Sequence, residues 1–328
     1  MKALVTGSTG FVGRYLVKEL NARKYSCRLL VRSNSDTSWL DSLDANELWE
    51  GDLTRSDTLV GIAEEMDYVF HLAAEGHVSA ISNEAYKKFV HVNVDGTKNL
   101  VSECGKHKLL KFVHFSSTAA MGLIKKKVVD ETDTPRPATP YQKSKLKSEE
   151  VALNVGKDLR VPVVVLRPCM IYGIYGEGEF FKMSQLMRKG LFPRVGRGRN
   201  LTPLVHVKDV VQGAIKAAER GIPGDVYLLA SENSIELTTL RNLVMEGWAA
   251  KAPYPYLPVW FMFLVARCLE IVGKITSKAP VVTRQNIEST VWDREFSIEK
   301  AKKELEYSPK VSFREGIAET VNWFKRNT

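Results

Sequence analysis

Lys2-Ala-Leu-Val-Thr6 runs straight into Gly7-Ser8-Thr9-Gly10-Phe11-Val12-Gly13, and an amphipathic stretch from about Arg14 to Asn21 follows. The opening run is apolar and short, as suits a strand buried on both faces of a parallel sheet. Strand, glycine turn and helix is the context in which spaced glycines bind a dinucleotide. Gly7 permits the tight turn, Gly10 lets the backbone approach a pyrophosphate, and Gly13 lets helix and strand pack closely. The helix start offers unpaired N–H groups and a favourable dipole to phosphate. Gly7, Thr9, Gly10, Phe11, Val12 and Gly13 are therefore the expected phosphate cradle. The expected fold class is α/β, a doubly wound parallel sheet of Rossmann type with a smaller C-terminal lobe.

Apolar runs further along repeat the strand-and-loop pattern. Cys27 to Val31 reads as the second strand, ending at Arg32. At this place an acidic residue accepts from a ribose 2′-hydroxyl, whereas an arginine pairs with a 2′-phosphate. Arg32, with Ser33 and Asn34, therefore favours NADP; the other reading is an Arg32 that stacks on the adenine of NAD. Glu47 to Glu50 is a third strand, closing on Gly51-Asp52-Leu53. Asp52 and Leu53 are placed to meet the adenine, with Asp52 accepting from its amino group or else capping the segment near Thr54. Tyr68 to His71 is the fourth strand, and Leu72, Ala73 and Ala74 form a loop small enough for close approach to a cofactor. A long helix from about Asn83 to Lys106 carries Asn93, which either holds a carbonyl or water near the site or is a buried structural amide. Lys111 to Phe115 is the fifth strand, and Ser116-Ser117 lies at its carboxyl end, where such sheets bind ligands. His71, His114 and His206 are read as packing residues.

Tyr141-Gln-Lys-Ser-Lys145 puts a phenol and an ammonium one turn apart on a helix face. A phenol with a pKa near 10 is useless as a base at neutral pH until a neighbouring cation favours its anion. Ser117 supplies a hydroxyl to polarise a substrate oxygen. A solvated helix face is the bland alternative for this spacing taken alone.

The chain has 328 residues, with 47 basic and 38 acidic side chains and a net charge of +9. Its length calls for one large domain or two. The charge allows an acidic ligand such as a phosphorylated cofactor without requiring nucleic acid. Basic residues are scattered, apart from Lys125-Lys126-Lys127 and the set Arg194, Arg197 and Arg199, both read as solvated loops. Cys27, Cys104, Cys169 and Cys268 are far apart and lack ligand spacing, so all four are expected as buried thiols in a reducing compartment, with no metal. No signal peptide is expected, since the first strand begins at Lys2. The run from Pro258 to Gly273 contains Arg267 and Glu270 and is too short and too charged to span a bilayer; peripheral attachment stays open.

The ordered motifs are similar to those of the extended short-chain dehydrogenase/reductase family, which also contains sugar-nucleotide epimerases. The likeness runs through Thr6-Gly7-x-x-Gly10-x-x-Gly13, Gly51-Asp52-Leu53, His71-Leu-Ala-Ala74, Asn93-Val-x-Gly-Thr97 and Ser116-Ser117. It continues through Tyr141-x-x-x-Lys145, Leu166-Arg167-Pro168, Ile171-Tyr172-Gly173 and Val205-His-Val-x-Asp209. The resemblance implies Tyr141 as acid/base and Lys145 lowering its pKa while holding the nicotinamide ribose. It also implies that Ser117 orients the substrate oxygen and that Pro168 lies beside the nicotinamide. Ser117-Thr118-Ala119 stands where the 4,6-dehydratases carry Thr-Asp-Glu, which argues against that reaction. Met121 replaces a tyrosine common in sugar epimerases, and Arg32 an acidic residue. The closing pattern, Phe296-Ser-Ile-Glu-Lys-Ala-Lys-Lys-Glu-Leu with Pro309 and Glu315-Gly-Ile, resembles the 3β-hydroxysteroid dehydrogenase and dihydroflavonol reductase branches.

The expectation is a reductase or dehydrogenase that prefers NADP, accepts NAD as the alternative, and moves hydride to or from a carbonyl or secondary alcohol. The rivals are a nucleotide-sugar 4-epimerase with tightly held NAD and a non-catalytic cofactor-sensing protein. Residues 1–170 are expected to bind the cofactor, with 201–232 returning to them; 171–200 and 233–328 form the substrate lobe. The aromatic stretch from Tyr254 to Val272 is read as lobe core, or as a wall for a hydrophobic small-molecule substrate. The family implies a homodimer through the helices bearing Asn93 and Tyr141, and the reducing compartment read from the cysteines makes a cytoplasmic location the expectation.

Overall fold

The computed structural model describes residues 1–40, 46–76, 83–196, 198–276 and 283–327; Arg197 of the second basic set lies outside them. Seven parallel strands form the central sheet. They are β1 (Lys2–Thr6), β2 (Ser26–Val31), β3 (Asn46–Glu50), β4 (Tyr68–His71), β5 (Lys111–Phe115), β6 (Val163–Pro168) and β7 (Val226–Leu229). Their order is β7-β6-β5-β4-β1-β2-β3, so the chain runs outward from β1 in one direction, then returns and builds the other half. The order reverses at β1 and β4, where Thr6 faces His71 in register. A ligand crevice is expected outside the carboxyl ends of strands at such a reversal.

Alternation within the strands feeds two cores. Ala3 and Val5 face one side, with Leu16, Val17 and Leu20 of α1 (Phe11–Ala22) and Val210 and Ala214 of a later helix. Leu4, Val69 and Phe112 face the other, with Leu100, Val101 and Cys104. The helix expected from about Asn83 to Lys106 is three pieces: α2 (Asn83–Phe89), a π-helical segment Val90–Asp95, and α3 (Gly96–Cys104). Propensity carries no signal for the wider π turn. It occurs where Asn93 and Thr97 are drawn toward the sheet.

Helix α4 (Pro140–Leu159) packs beside α3 on that second face. Beyond α4 and β6 comes α5 (Glu179–Arg188). Leu204–His206 is a short strand paired with Met170–Tyr172, and α6 spans Val207–Arg220. A third apolar cluster joins α5, α7 (Leu237–Trp248) and α11 (Phe313–Asn327) through Phe180, Trp248 and Phe324. The remaining helices are α8 (Val259–Thr276), α9 (Arg284–Val291) and α10 (Glu299–Leu305).

Two expectations need correction. The stretch read as lobe core is largely α8, and that helix leaves Trp260 and Leu264 more than half exposed. Cys27, Cys104 and Cys169 are buried, but Cys268 is exposed on the same helix. A helix uniformly rich in apolar residues carries no sequence mark of which face is covered. No helix among the described residues is long and apolar enough to cross a membrane.

Candidate active site

The glycine loop is built as its spacing requires. Gly7 has φ +71°, and a Cβ there would sit 2.7 Å from the Ala73 nitrogen. A Cβ on Gly13 would meet the Gly7 carbonyl oxygen at 2.1 Å, and one on Gly10 the same oxygen at 3.2 Å. Helix α1 begins after Gly10 with no side-chain cap and no acid in its first turn, so its leading N–H groups keep their affinity for anions. The Ser8 hydroxyl is buried there without a partner. These features fit a dinucleotide pyrophosphate. The Thr9 carbonyl accepts from Arg14 Nε at 3.2 Å, and Val12 packs onto the core. The Phe11 ring turns toward the loop after β6, where a Cβ on Gly176 would come within 2.9 Å of it.

A buried chain of hydrogen bonds fixes the loop after β4. Thr97 Oγ1 donates to the Asn93 carbonyl at 2.6 Å, so it accepts from His71 Nε2 at 2.9 Å. His71 Nδ1 is then the acceptor for Thr6 Oγ1 at 2.8 Å, and Thr6 Oγ1 accepts from the Ala73 N–H at 3.2 Å. Burial and the charge of Lys145 lower the His71 pKa to about 3, which keeps the ring neutral. Leu72 donates to the Thr6 carbonyl, and Ala74 is exposed. Asn93 grips the next residue on both sides: its Oδ1 accepts from the Glu75 N–H at 2.7 Å and its Nδ2 donates to the Glu75 carbonyl at 3.1 Å. The same Nδ2 reaches Ser144 Oγ at 3.1 Å, linking the loop to α4. Asn93 thus serves as a clamp between elements.

Helix α4 starts at a capping box. Thr139 accepts from the Gln142 N–H, the Gln142 side chain returns to the Thr139 N–H, and Pro140 takes the first helical position. Tyr141 therefore lies in the first turn, where its ring meets Phe89 edge-on at 5.9 Å. Lys145 is buried one turn later and donates from Nζ to the Phe115 carbonyl at 2.8 Å. That carbonyl lies two residues before Ser117, whose Oγ accepts from the Ala119 N–H at 3.1 Å. Lys145 is thereby tied to the end of β5, two residues before Ser117, and Tyr141 lies one turn before Lys145 on α4. Burial lowers the Lys145 pKa to about 8, opposed by the charge of Glu149. Burial raises that of Tyr141, with Glu179 adding to the rise. Lys145 is not among the causes of that rise, its ammonium being hydrogen-bonded to the Phe115 carbonyl.

Glu149 and Arg167 are site residues whose part was not read from the sequence. Arg167 grips Glu149 through Nε at 3.0 Å and Nη2 at 2.6 Å, both side chains being buried. Ser116 Oγ donates to the same carboxylate, and Arg167 Nη1 lies 2.7 Å from Met121 Sδ. One carboxylate thereby joins α4, β6 and the Ser116–Ser117 turn. Glu149 lies four residues beyond Lys145, the one signal that could have found it. Pro168 follows Arg167, buried and in register with Leu229.

Arg32 is exposed at the end of β2 and forms no ion pair among the described residues. Its charge and the Thr54 hydrogen bonds hold the Asp52 pKa down, the Thr54 N–H and hydroxyl being the larger cause. Asp52 Oδ1 accepts both, at 2.8 and 2.7 Å, which is the local cap. Leu53 is buried, and its carbonyl accepts from Asn99 Nδ2 at 2.9 Å.

The sequence profile of the NAD dependent epimerase/dehydratase family matches residues 3–230. A ketoreductase of Stigmatella aurantiaca that acts on 4-hydroxy-2-methyl-3-oxo-4-farnesyl-3,4-dihydroquinoline-1-oxide is 29% identical over 97% of this chain and 95% of its own. A dTDP-glucose 4,6-dehydratase of Actinoplanes sp. is 29% identical over 100% of this chain and 98% of its own. The crystal structure of gox2253 superposes with a TM-score of 0.84 at 30% identity, covering 99% of this chain and 98% of that one. With the seven-stranded sheet, the glycine cradle and a matching profile over most of its length, the chain belongs to the NAD-dependent epimerase/dehydratase family, within the extended short-chain dehydrogenases/reductases.

Proposed function

We propose that this enzyme reduces the carbonyl of a hydrophobic substrate at the expense of NADPH. The observation that carries the reading is the Lys145–Phe115 bond, which ties the helix bearing Tyr141 to the strand end that leads into Ser117. A bound nicotinamide supplies the hydride that the substrate carbon takes up. Tyr141 Oη gives its proton to the substrate oxygen, and Ser117 Oγ donates a hydrogen bond to that oxygen as charge develops. A phenol pKa raised by burial keeps Tyr141 protonated and ready to donate. Lys145, still charged at neutral pH, stabilises the phenolate left behind and holds the nicotinamide ribose. The glycine loop, Ala73 and Pro168 would hold the remainder of the cofactor.

Support for NADP comes from Arg32, exposed at the end of β2 without an ion pair among the described residues. The ketoreductase relative, whose substrate bears a farnesyl chain, supports a hydrophobic ketone. Ala119 offers no carboxylate for dehydration. The third apolar cluster supports residues 171–200 and 233–328 as the substrate lobe. Free thiols support a reducing cytoplasm, and the same reading takes the chain as a homodimer through the helices carrying Asn93 and Tyr141. Assay of nucleotide released from denatured protein, followed by titration of stripped protein with NADPH and NADH, tests the proposal. NADPH should bind more tightly by at least about tenfold, roughly the 1.4 kcal/mol expected of one phosphate–arginine contact. Stoichiometric NAD, with nucleotide sugar isomerised and no net redox change, would replace the reductase with a 4-epimerase.

A further inference from the structure

Helix α8 has a face that the described fold leaves uncovered. Met262 and Ala266 are buried with Val195 and Ile287. Trp260, Phe261, Leu264, Ile271 and Val272 are 69%, 39%, 52%, 51% and 53% exposed. At about 100° per residue these positions fall within roughly 120° of the helix circumference, and exposed Cys268 lies among them. The exposed apolar area is on the order of 500 Å², at the upper end for a monomer surface. It falls short of the ~800 Å² per partner that a stable protein interface buries, which disfavours a second copy.

The charge around the stripe selects the occupant. Arg267 and Arg284 line a cleft with Glu270 and Ile271 at its edge. Glu270 accepts from Arg284 Nε at 2.9 Å, and Arg267 has no ion pair among the described residues. Just before the helix, exposed Arg194 stacks over Tyr256 at 5.4 Å. The whole chain carries +9. An aromatic and aliphatic stripe edged by arginines on a helix that cannot span a bilayer is the form of an interfacial helix, which lies in the plane of the headgroups. We propose that this face of α8 docks the enzyme onto the surface of an anionic lipid bilayer. Trp260, Phe261, Leu264 and Ile271 enter the headgroup–acyl boundary, and Arg267 meets the lipid phosphates. The proposal does not rest on the reductase reading, and its test reads binding alone.

The full chain is sedimented with vesicles of phosphatidylcholine alone and of phosphatidylcholine with phosphatidylserine. The triple variant Trp260→Gln, Leu264→Gln, Ile271→Gln keeps helix propensity and net charge, so a loss of binding reports the apolar stripe. The chain should pellet with the phosphatidylserine vesicles, and the triple variant's partition should fall by more than about tenfold. Arg267→Gln should lower it several-fold and weaken its salt dependence. If the triple variant fails to keep the parent's melting profile, Trp260→Gln alone replaces it, with a several-fold loss expected. Absence of the parent from both pellets, or undiminished binding by the folded variants, would overturn the proposal. So would a parent oligomer that the stripe variant loses, which would make the face a contact between copies.

Discussion

Tyr141 and Lys145 sit one turn apart, yet burial acts on them in opposite senses. It disfavours the phenolate and disfavours the ammonium, so the phenol holds its proton more tightly while the lysine falls to about 8. Removing the phenolic oxygen takes away the proposed acid and leaves the ring packed on Phe89. Tyr141→Phe should therefore lower kcat by about a hundred- to ten-thousandfold, the range of a general acid. NADPH affinity, read by fluorescence titration, should stay within about twofold; retained turnover would remove Tyr141 from the chemistry. Arg32 is a residue of another kind, exposed and free to meet a ligand. Arg32→Asp should reverse the ratio of kcat/KM for NADPH over NADH by about a hundredfold or more, since repulsion replaces attraction at one phosphate. An unchanged ratio would mean that Arg32 does not read the 2′-phosphate.

At the scale of elements, one buried ion pair joins three of them. Arg167 on β6 and Glu149 on α4 pair with almost no solvent contact, and Ser116 after β5 shares the carboxylate. Breaking such a pair from one side strands a buried charge and costs about 3–5 kcal/mol. Arg167→Met should lower the melting temperature by roughly 5–10 °C. Adding Glu149→Leu should recover much of the loss, because both charges are then gone. A single variant that melts like the parent would show the pair to be dispensable. The pair was not legible beforehand: Arg167 and Glu149 are 18 residues apart and come together only when β6 slots beside β5. The Tyr141–Lys145 spacing was legible, because one helix sets it without help from any other element.

For the whole molecule, the neutral histidines under the sheet set the acid limit. His71 and His206 have pKa values lowered to about 3 and about 4, chiefly by burial, and His114 is held well below its ordinary value. Their native values lie below those of the unfolded chain, so the unfolded state takes up protons first as pH falls. Their contribution is complete above about pH 6.5 and is lost progressively as pH falls toward the native values, about 4 for His206 and about 3 for His71. Glu131 and Asp209, raised by burial, titrate in the other direction and offset part of it. Unfolding free energy from urea melts should fall by several kcal/mol between pH 7 and pH 4.5, at about 1.4 kcal/mol for each proton that the unfolded chain binds in excess per pH interval of one. A flat profile over that interval would contradict the burial of these rings.

The strand at Lys2–Thr6, the glycine turn and the Tyr141–Lys145 pair were written in the sequence alone. Each depends on local spacing: a short apolar run for the strand, positive φ and close approach for the glycines, one helical turn for the pair. The His71 chain from Ala73 to Asn93, the π-helical segment, the Glu149–Arg167 pair and the uncovered face of α8 were decided by tertiary structure. Hydrogen bonds between distant residues, and the choice of which apolar face is covered, depend on how elements dock, and docking leaves no periodicity in the chain.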